Sequence, residues 1–202
     1  MHQSSYEHMK DLIARYLVGK DNESLSILDI GSSDVNGSYR PLFSRPAWRY
    51  LGVDLAAGPN VDIVLDTPYS WRQIGTHTQD LLISGQAFEH IEYFWITWLE
   101  MVRVLRPGGH IFLIAPSRGP EHRYPQDCWR FYPDGYRALA RLAQIELVEV
   151  STDWEPSPYP DSAAWGDTVG VFRQPALTLG QRAIHHVRPW LRRFTSEITR
   201  RV

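Results

Sequence analysis

"SLSILDIGSSDVNGSYRPLF", residues 24–43, passes from a short apolar segment into an acid, a glycine and a string of small polar residues. An apolar run this short, bounded by turn residues, reads as a buried strand. Gly31, Ser32 and Ser33 at its end carry so little side chain that a ligand can lie close to the backbone. Six further runs have the same character: "WRYLGVDL" (48–55), "NVDIVLD" (60–66), "QDLLISG" (79–85), "GHIFLIAP" (109–116), "IELVEVS" (145–151) and "DTVGVFR" (167–173). Helical stretches stand between several of them, "YFWITWLEMVRVL" (93–105) and "PDGYRALARLA" (133–143). Ahead of the first strand, "SYEHMKDLIARYLVG" (5–19) repeats Met9, Leu12, Ile13, Tyr16 and Leu17 at helical spacing and stops at Gly19. Strands alternating with helices predict an α/β fold with a doubly wound, mostly parallel sheet whose ligand sits at the carboxyl ends of the strands. The last two strands, separated by the proline-rich loop "WEPSPYPDSAAWG" (154–166), are expected to form an antiparallel pair at the sheet edge.

A length of 202 residues suits one domain with a full core, and the net charge of -2 gives no overall bias toward nucleic acid. The single cysteine, Cys128, excludes an internal disulfide framework and an all-cysteine zinc site, and it fits a reducing cytosol. No apolar run reaches about 18 residues, and "MHQSSYEHMK" lacks the design of a secretory signal, so a soluble cytoplasmic protein without a transmembrane segment is expected. The charge is unevenly placed. Residues 174–202 carry six arginines against the single acid Glu197. This divides the chain into a body, 1–173, and a basic tail, 174–202. Ile184, Val187, Trp190, Leu191, Phe194 and Ile198 give the tail an approximate apolar face, suited to packing on its own domain, to homodimer contact or to a membrane surface.

The loop after the first strand lacks the glycines of a nicotinamide fingerprint: Ser33 and Asn36 stand where the second and third would be. Asp29 favours a cationic ligand rather than a pyrophosphate. Asp54, 25 residues later at the end of the second strand, is placed to accept the two hydroxyls of a ribose. Asp66 ends the third strand, with Tyr69 and Trp71 following as faces for an adenine or as core residues.

Taken in order and spacing, "LDIGSSDVNG", "GVDL", "VLD", "ISGQAFEHIE" and "EMVRVLRPGGHIFLIAPS" resemble the class I S-adenosylmethionine-dependent methyltransferases, in particular their type-11 group. The resemblance covers roughly residues 26–172. It implies a Rossmann-like seven-stranded sheet of order 3-2-1-4-5-7-6 with an antiparallel strand at one edge, and S-adenosylmethionine as cofactor. It also implies that Asp29, Gly31, Ser32 and Ser33 hold the methionine part, Asp54 and Leu55 the ribose side, Asp66 and Thr67 the adenine, and Gln86 the inner face of the cofactor. The usual glycine-rich pattern is reduced to Gly31 with the next glycine at Gly37, so the loop is expected to fold differently.

The acceptor is addressed by "PEHRYPQDCWRFYPDG" (120–135), an insert too rich in aromatics and titratable groups for a plain connection. A hydroxyl acceptor needs a base. His122 is favoured, with Asp127 to orient it; His90 in "FEHIE" is the second candidate. Tyr124 and Trp129 offer flat faces and Arg130 a forked donor, a mixture suited to sugar hydroxyls. Part of the insert also resembles small mannoside-type O-methyltransferases of glycan assembly. Glu121, His122 and Asp127 supply oxygen and nitrogen ligands for Mg²⁺, without tight metal spacing. The expected partner is a small-molecule or saccharide substrate and not nucleic acid. A non-sugar acceptor of O- or C-methylation, and a non-catalytic S-adenosylmethionine-binding subunit, are the competing readings.

Overall fold

The computed structural model describes residues 2–176. The basic tail, of which an amphipathic face and a homodimer contact are expected, falls almost wholly outside these residues. In chain order the elements are α1 (Gln3–Tyr16), β1 (Leu25–Ile30), a 3₁₀ turn Arg40–Phe43, β2 (Trp48–Asp54), β3 (Ile63–Val64), β4 (Gln79–Gly85), a 3₁₀ turn Phe88–His90, α2 (Phe94–Val104), β5 (Leu105–Arg118), α3 (Pro133–Ala143), β6 (Glu146–Thr152), a 3₁₀ turn Pro160–Ser162 and β7 (Gly166–Arg173). The strands form one sheet in the order β3-β2-β1-β4-β5-β7-β6. β7 runs antiparallel to both β5 and β6, and every other pairing is parallel.

The continuous apolar runs follow from burial on both faces of the sheet. Successive strand residues point to opposite sides. Ile27, Leu81, Ile83, Phe112 and Ile114 therefore meet Met9, Leu12 and Ile13 of α1 on one face. Leu28, Leu82, Ile111 and Leu113 meet Trp98 and Met101 of α2 and Tyr136 and Leu139 of α3 on the other. Each fully buried aliphatic side chain contributes about 1.5–3 kcal/mol. Gly170 on β7 makes room for the Tyr136 ring, which a Cβ there would meet at 2.4 Å. α3 begins with Pro133 at its first turn, and Gln144 closes it at φ +57°.

Three elements, α1, β5 and β3, depart most from the sequence reading. α1 starts at Gln3, where the Gln3 backbone N–H donates to Asp161 Oδ2 at 2.9 Å. β5 begins at Leu105, which pairs with Gln79 of β4 before a bulge brings His110 opposite Leu81. β3 is only two residues long: Asn60 and Asp62, expected as strand, are held instead by Ser32, Gly52 and Arg40.

Candidate active site

The carboxyl ends of β1, β2 and β4 converge. Gly31 adopts φ +74°, and a Cβ built there would lie 2.4 Å from Ala87 Cβ, so the loops after β1 and β4 touch at this point. The Gly31 and Ser32 backbone N–H groups both donate to the Val53 carbonyl, at 3.0 and 3.1 Å. Asp54 takes the Ser33 N–H on Oδ2 at 3.0 Å and the Leu55 N–H on Oδ1 at 2.7 Å. Its carboxylate is thus fixed at the rim, half-buried, beside the exposed side chain of Leu55. No α-helix follows β1. The loop is braced by Asn60, whose Nδ2 donates to the Ser32 carbonyl at 2.8 Å while Ser32 Oγ donates to the Asn60 carbonyl at 3.1 Å. Arg40 reaches Asn60 and Asp62 and lies 4.5 Å over the Tyr50 ring. This network replaces the missing glycines as the means of shaping the loop.

Asp29 lies beneath this rim, 3% exposed, and accepts a hydrogen bond from Tyr50 Oη. Burial raises its carboxyl to about 7, the Tyr50 bond opposing. Asp29, expected to favour a cationic ligand, lies below the loop as a hydrogen-bonded strut. Asp66 is exposed and Thr67 half-buried, with Thr67 Oγ1 accepting the Tyr69 N–H at 3.3 Å. Trp71 is 1% exposed within the core and Tyr69 is buried against Tyr93, so neither ring offers an open face beside Asp66.

The insert after β5 folds back onto the segment after β4 through a set of hydrogen bonds. Cys128 and Trp129 backbone N–H groups donate to the Glu89 carbonyl at 2.7 and 3.2 Å, Gln126 Nε2 donates to the His90 carbonyl at 3.0 Å, and Trp129 Nε1 donates to the Ile91 and Glu92 carbonyls, each at 3.1 Å. His90 returns the contact from Nδ1 to the Gln126 carbonyl at 2.5 Å. The clasp brings His90 and His122 together with ring centroids 4.8 Å apart, edge to face, and Tyr124 stands against both.

Asp127 is the hub of the insert. It receives both forks of Arg130 at 2.6 and 2.8 Å and the His122 backbone N–H at 2.9 Å, and its Oδ2 lies 3.3 Å from His122 Nδ1, which makes no hydrogen bond. The Arg130 bonds, with His122 adding to them, hold Asp127 well below the usual carboxylate range. Arg130 also donates to the Pro120 and Trp129 carbonyls, so its forked donors are largely committed inside the insert. Of the insert aromatics only Phe131 enters the core; Tyr132 stacks on Trp154. Glu121 pairs with Arg123 in solvent, away from His122's neighbours in the cleft.

A third wall comes from β7 and the start of α1. Asp167, fully buried, accepts from Ser4 Oγ at 2.8 Å and from Gln86 Nε2 at 2.9 Å; Gln86, at φ +58°, also reaches Ser5 Oγ at 3.3 Å. Tyr39 crosses to Ser5 at 2.6 Å and covers Gly85. Trp165 packs on His122 at 4.7 Å and stacks on His2 at 5.9 Å. The structure thus brings Asp54, Leu55, Gly31, Ser32 and Ser33 together at one end of the strand edge and His90, His122, Asp127, Tyr124 and Trp129 at the other, with Gln86 between β4 and β7. Glu89, Gln126, Trp165 and Asp167 were not singled out in the sequence. Only Glu89 carried a signal there, as the neighbour of His90 in "FEHIE".

Residues 28–113 match the family model described as a methyltransferase domain. An uncharacterized methyltransferase of Mycolicibacterium gilvum (strain PYR-GCK) is 25% identical across 81% of this chain and 69% of its own length. One from Mycobacterium leprae (strain Br4923) is 27% identical across 72% and 58%, and one from Mycobacterium avium (strain 104) is 28% identical across 76% and 65%. The chain therefore spans between 58% and 69% of the length of these relatives. Among solved structures, the 1,6-didemethyltoxoflavin-N1-methyltransferase of Burkholderia thailandensis, seen with S-adenosylhomocysteine, superposes with a TM-score of 0.58 at 18% identity, covering 85% of this chain and 84% of that one. A SAM dependent methyltransferase from Archaeoglobus fulgidus gives 0.59 at 13% identity, covering 84% and 94%. In sheet order and in the matched domain, the chain is similar to the class I S-adenosylmethionine-dependent methyltransferases of the type-11 group.

Proposed function

We propose that this methyltransferase acts on a hydroxyl group of a sugar or polysaccharide precursor, with His122 as the base. The observation that carries the reading is the imidazole pair His90 and His122, held 4.8 Å apart at the carboxyl ends of β4 and β5 with Asp127 beside His122.

The residues at the ends of β1 and β2 fit the cofactor of the family. S-adenosylmethionine supplies a methyl carbon already activated by its sulfonium. Asp54 keeps lone pairs for ribose hydroxyls after accepting two backbone N–H groups, and the exposed Leu55 offers an apolar face for the base. Asp66 and Thr67 stand at the adenine edge. Ser32, Ser33 and the side-chain-free Gly31 line the approach to the methionine end, with Gln86 on its inner side. Asp29 contributes from beneath, through Tyr50 and the strand, rather than by contact.

Aligning an activated donor with its acceptor supplies several kcal/mol without other chemistry. The acceptor hydroxyl must still lose its proton, and His122 would take it. Asp127 faces His122 Nδ1 and stabilises the cation formed, and Arg130 fixes Asp127 in place. A positioned base of this kind contributes about 10²- to 10⁴-fold. Tyr124 and Trp129 offer ring faces at the mouth, suited to the carbon–hydrogen face of a sugar.

A methyl-transfer screen over mono- and oligosaccharides, run beside phenolic and other non-sugar hydroxyl compounds, tests the assignment. His122→Ala is expected to lower turnover at least about 10²-fold with unchanged S-adenosylmethionine affinity. Transfer to non-sugars alone would remove the saccharide, and full turnover in His122→Ala would remove the base.

A further inference from the structure

We propose that Glu89, His90 and His122 form a binding site for one divalent first-row transition-metal ion, such as Mn²⁺, Co²⁺ or Zn²⁺. One ligand atom from each of the three lies within 4.8 Å of the others. Bonds of about 2.1 Å require ligand atoms roughly 3–3.5 Å apart, so closing the site asks for a contraction of about 1 Å. The nearest edge, His90 Nε2 to Glu89 Oε1 at 3.6 Å, is almost there already.

The protonation pattern points the same way. The Gln126 carbonyl can only accept, so His90 Nδ1 carries the hydrogen and Nε2 presents a lone pair toward the carboxylate. A backbone carbonyl fixing the far nitrogen of an imidazole is the usual support of a metal-binding histidine. Both oxygens of Glu89 are buried without a hydrogen-bond partner, at 0% exposure. Buried carboxylate oxygens without a donor, facing an imidazole lone pair, leave a position for something positive. A single proton on Glu89 is the competing occupant, and burial does push that carboxyl up to about 8. The proton would satisfy one oxygen and one imidazole, whereas a cation satisfies three residues. Two imidazoles with one carboxylate suit Mn²⁺, Co²⁺ or Zn²⁺ better than Mg²⁺, which prefers all-oxygen sites. The ion therefore sits on Glu89, His90 and His122, and not on the Glu121–His122–Asp127 set expected for Mg²⁺.

The ion's role rests on reading this cleft as the hydroxyl-acceptor site, although its binding does not. Three protein ligands leave open positions. An acceptor hydroxyl that takes one of them becomes more acidic and releases its proton to solvent, and His122 then serves as a ligand in place of a free base.

The test uses the untagged full chain, stripped with EDTA and dialysed, then titrated with Co²⁺ by visible absorption and with Mn²⁺ and Zn²⁺ by calorimetry. One equivalent per chain is expected, with binding weakened at least about 10-fold in Glu89→Gln and in His122→Ala. Because the tail carries His185 and His186, binding that both variants retain at wild-type affinity would overturn the proposal, as would the absence of saturable binding by all three ions. If Glu89→Gln fails to fold, by circular dichroism, His122→Ala decides alone. Saccharide methylation that persists in EDTA with no bound metal would overturn the ion's role in the reaction and leave the hydroxyl reading standing. A bound metal lost in Glu89→Gln, with no transfer to any hydroxyl, would support the site and remove that reading.

Discussion

Replacing Gly31 with alanine tests whether the two loops of the cofactor cleft are in contact, and Gly19 supplies the control. Both glycines sit at positive φ, +74° and +77°. An alanine in that conformation costs about 1–2 kcal/mol in either place. Around Gly19 there is no heavy atom within 4 Å of a built Cβ, so Gly19→Ala should cost no more than this. At Gly31 the new methyl would lie 2.4 Å from Ala87 Cβ, against about 3.5–4.0 Å for ordinary carbon contact. The loops after β1 and β4 must then part by more than an ångström, and overpacking of that kind adds about 1–3 kcal/mol. Gly31→Ala should therefore lose ~2–5 kcal/mol in urea unfolding and Gly19→Ala ~1–2 kcal/mol. The displaced Ser32 and Ser33 should also weaken S-adenosylmethionine in calorimetry at least 10-fold in Gly31→Ala alone. Equal losses in the two variants, within ~0.5 kcal/mol, would refute the contact.

Asp54→Ala should weaken S-adenosylmethionine at least about 10-fold in calorimetry, since it removes a ribose acceptor and frees the Ser33 and Leu55 N–H groups; unchanged affinity would remove the assignment. Asp29, raised to about 7 in the fold, keeps its proton in the native chain over a range where the unfolded chain has lost it. Stability should consequently fall as pH rises from about 4 to about 7, by up to ~1.4 kcal/mol per pH unit. Asp29→Asn should flatten that slope in unfolding curves taken across the range, and an unchanged slope would place the titration elsewhere. Trp129→Ala removes the Nε1 bonds to Ile91 and Glu92 and the packing on Phe94, for ~1–2 kcal/mol, and should speed proteolysis within residues 119–132; cleavage at the wild-type rate would count against the clasp.

The sheet was legible because its strands are apolar on both faces, a pattern that only a covered parallel sheet sustains. Ile27 and Leu28, or Phe112 and Leu113, are adjacent in sequence and buried on opposite sides. α3 was equally clear, since Pro133 marks its first turn and its apolar residues keep to one face. What stayed hidden depends on partners far along the chain. Asp29 reads as an open acid until Tyr50, 21 residues away, is seen to hold it. Trp71 reads as a ring beside Asp66 until its burial shows that the turn points it inward. The loop after β1 looked anomalous for want of glycines, and its support by Asn60, Asp62 and Arg40 combines short-range and tertiary contacts that no local spacing announces. Glu89 stands in "FEHIE" only as the neighbour of His90; that its carboxylate oxygens lie buried without a hydrogen-bond partner appears only in the fold.

The two ends of the cleft are held by different means, and this makes their roles separable. Around Gly31, Ser33, Asp54 and Leu55 the shape is set largely by backbone N–H groups on the Val53 carbonyl and the Asp54 carboxylate. Changes there should act on the donor through loop position, and substitutions of the half-buried Ser33 side chain should be tolerated better than Gly31→Ala. Around His90 and His122 the shape is set by side chains of an insert, through Gln126, Asp127, Trp129 and Arg130. Substitutions there should act on the acceptor while the donor still binds. Gln86 stands where the two regions meet, on Asp167 of β7 and Ser5 of α1, in a left-handed conformation kept by those bonds. It is the one predicted donor residue whose hydrogen-bond partners come from the wall beside the acceptor end. Gln86→Ala is therefore expected to impair both donor affinity and turnover, unlike a substitution confined to either end.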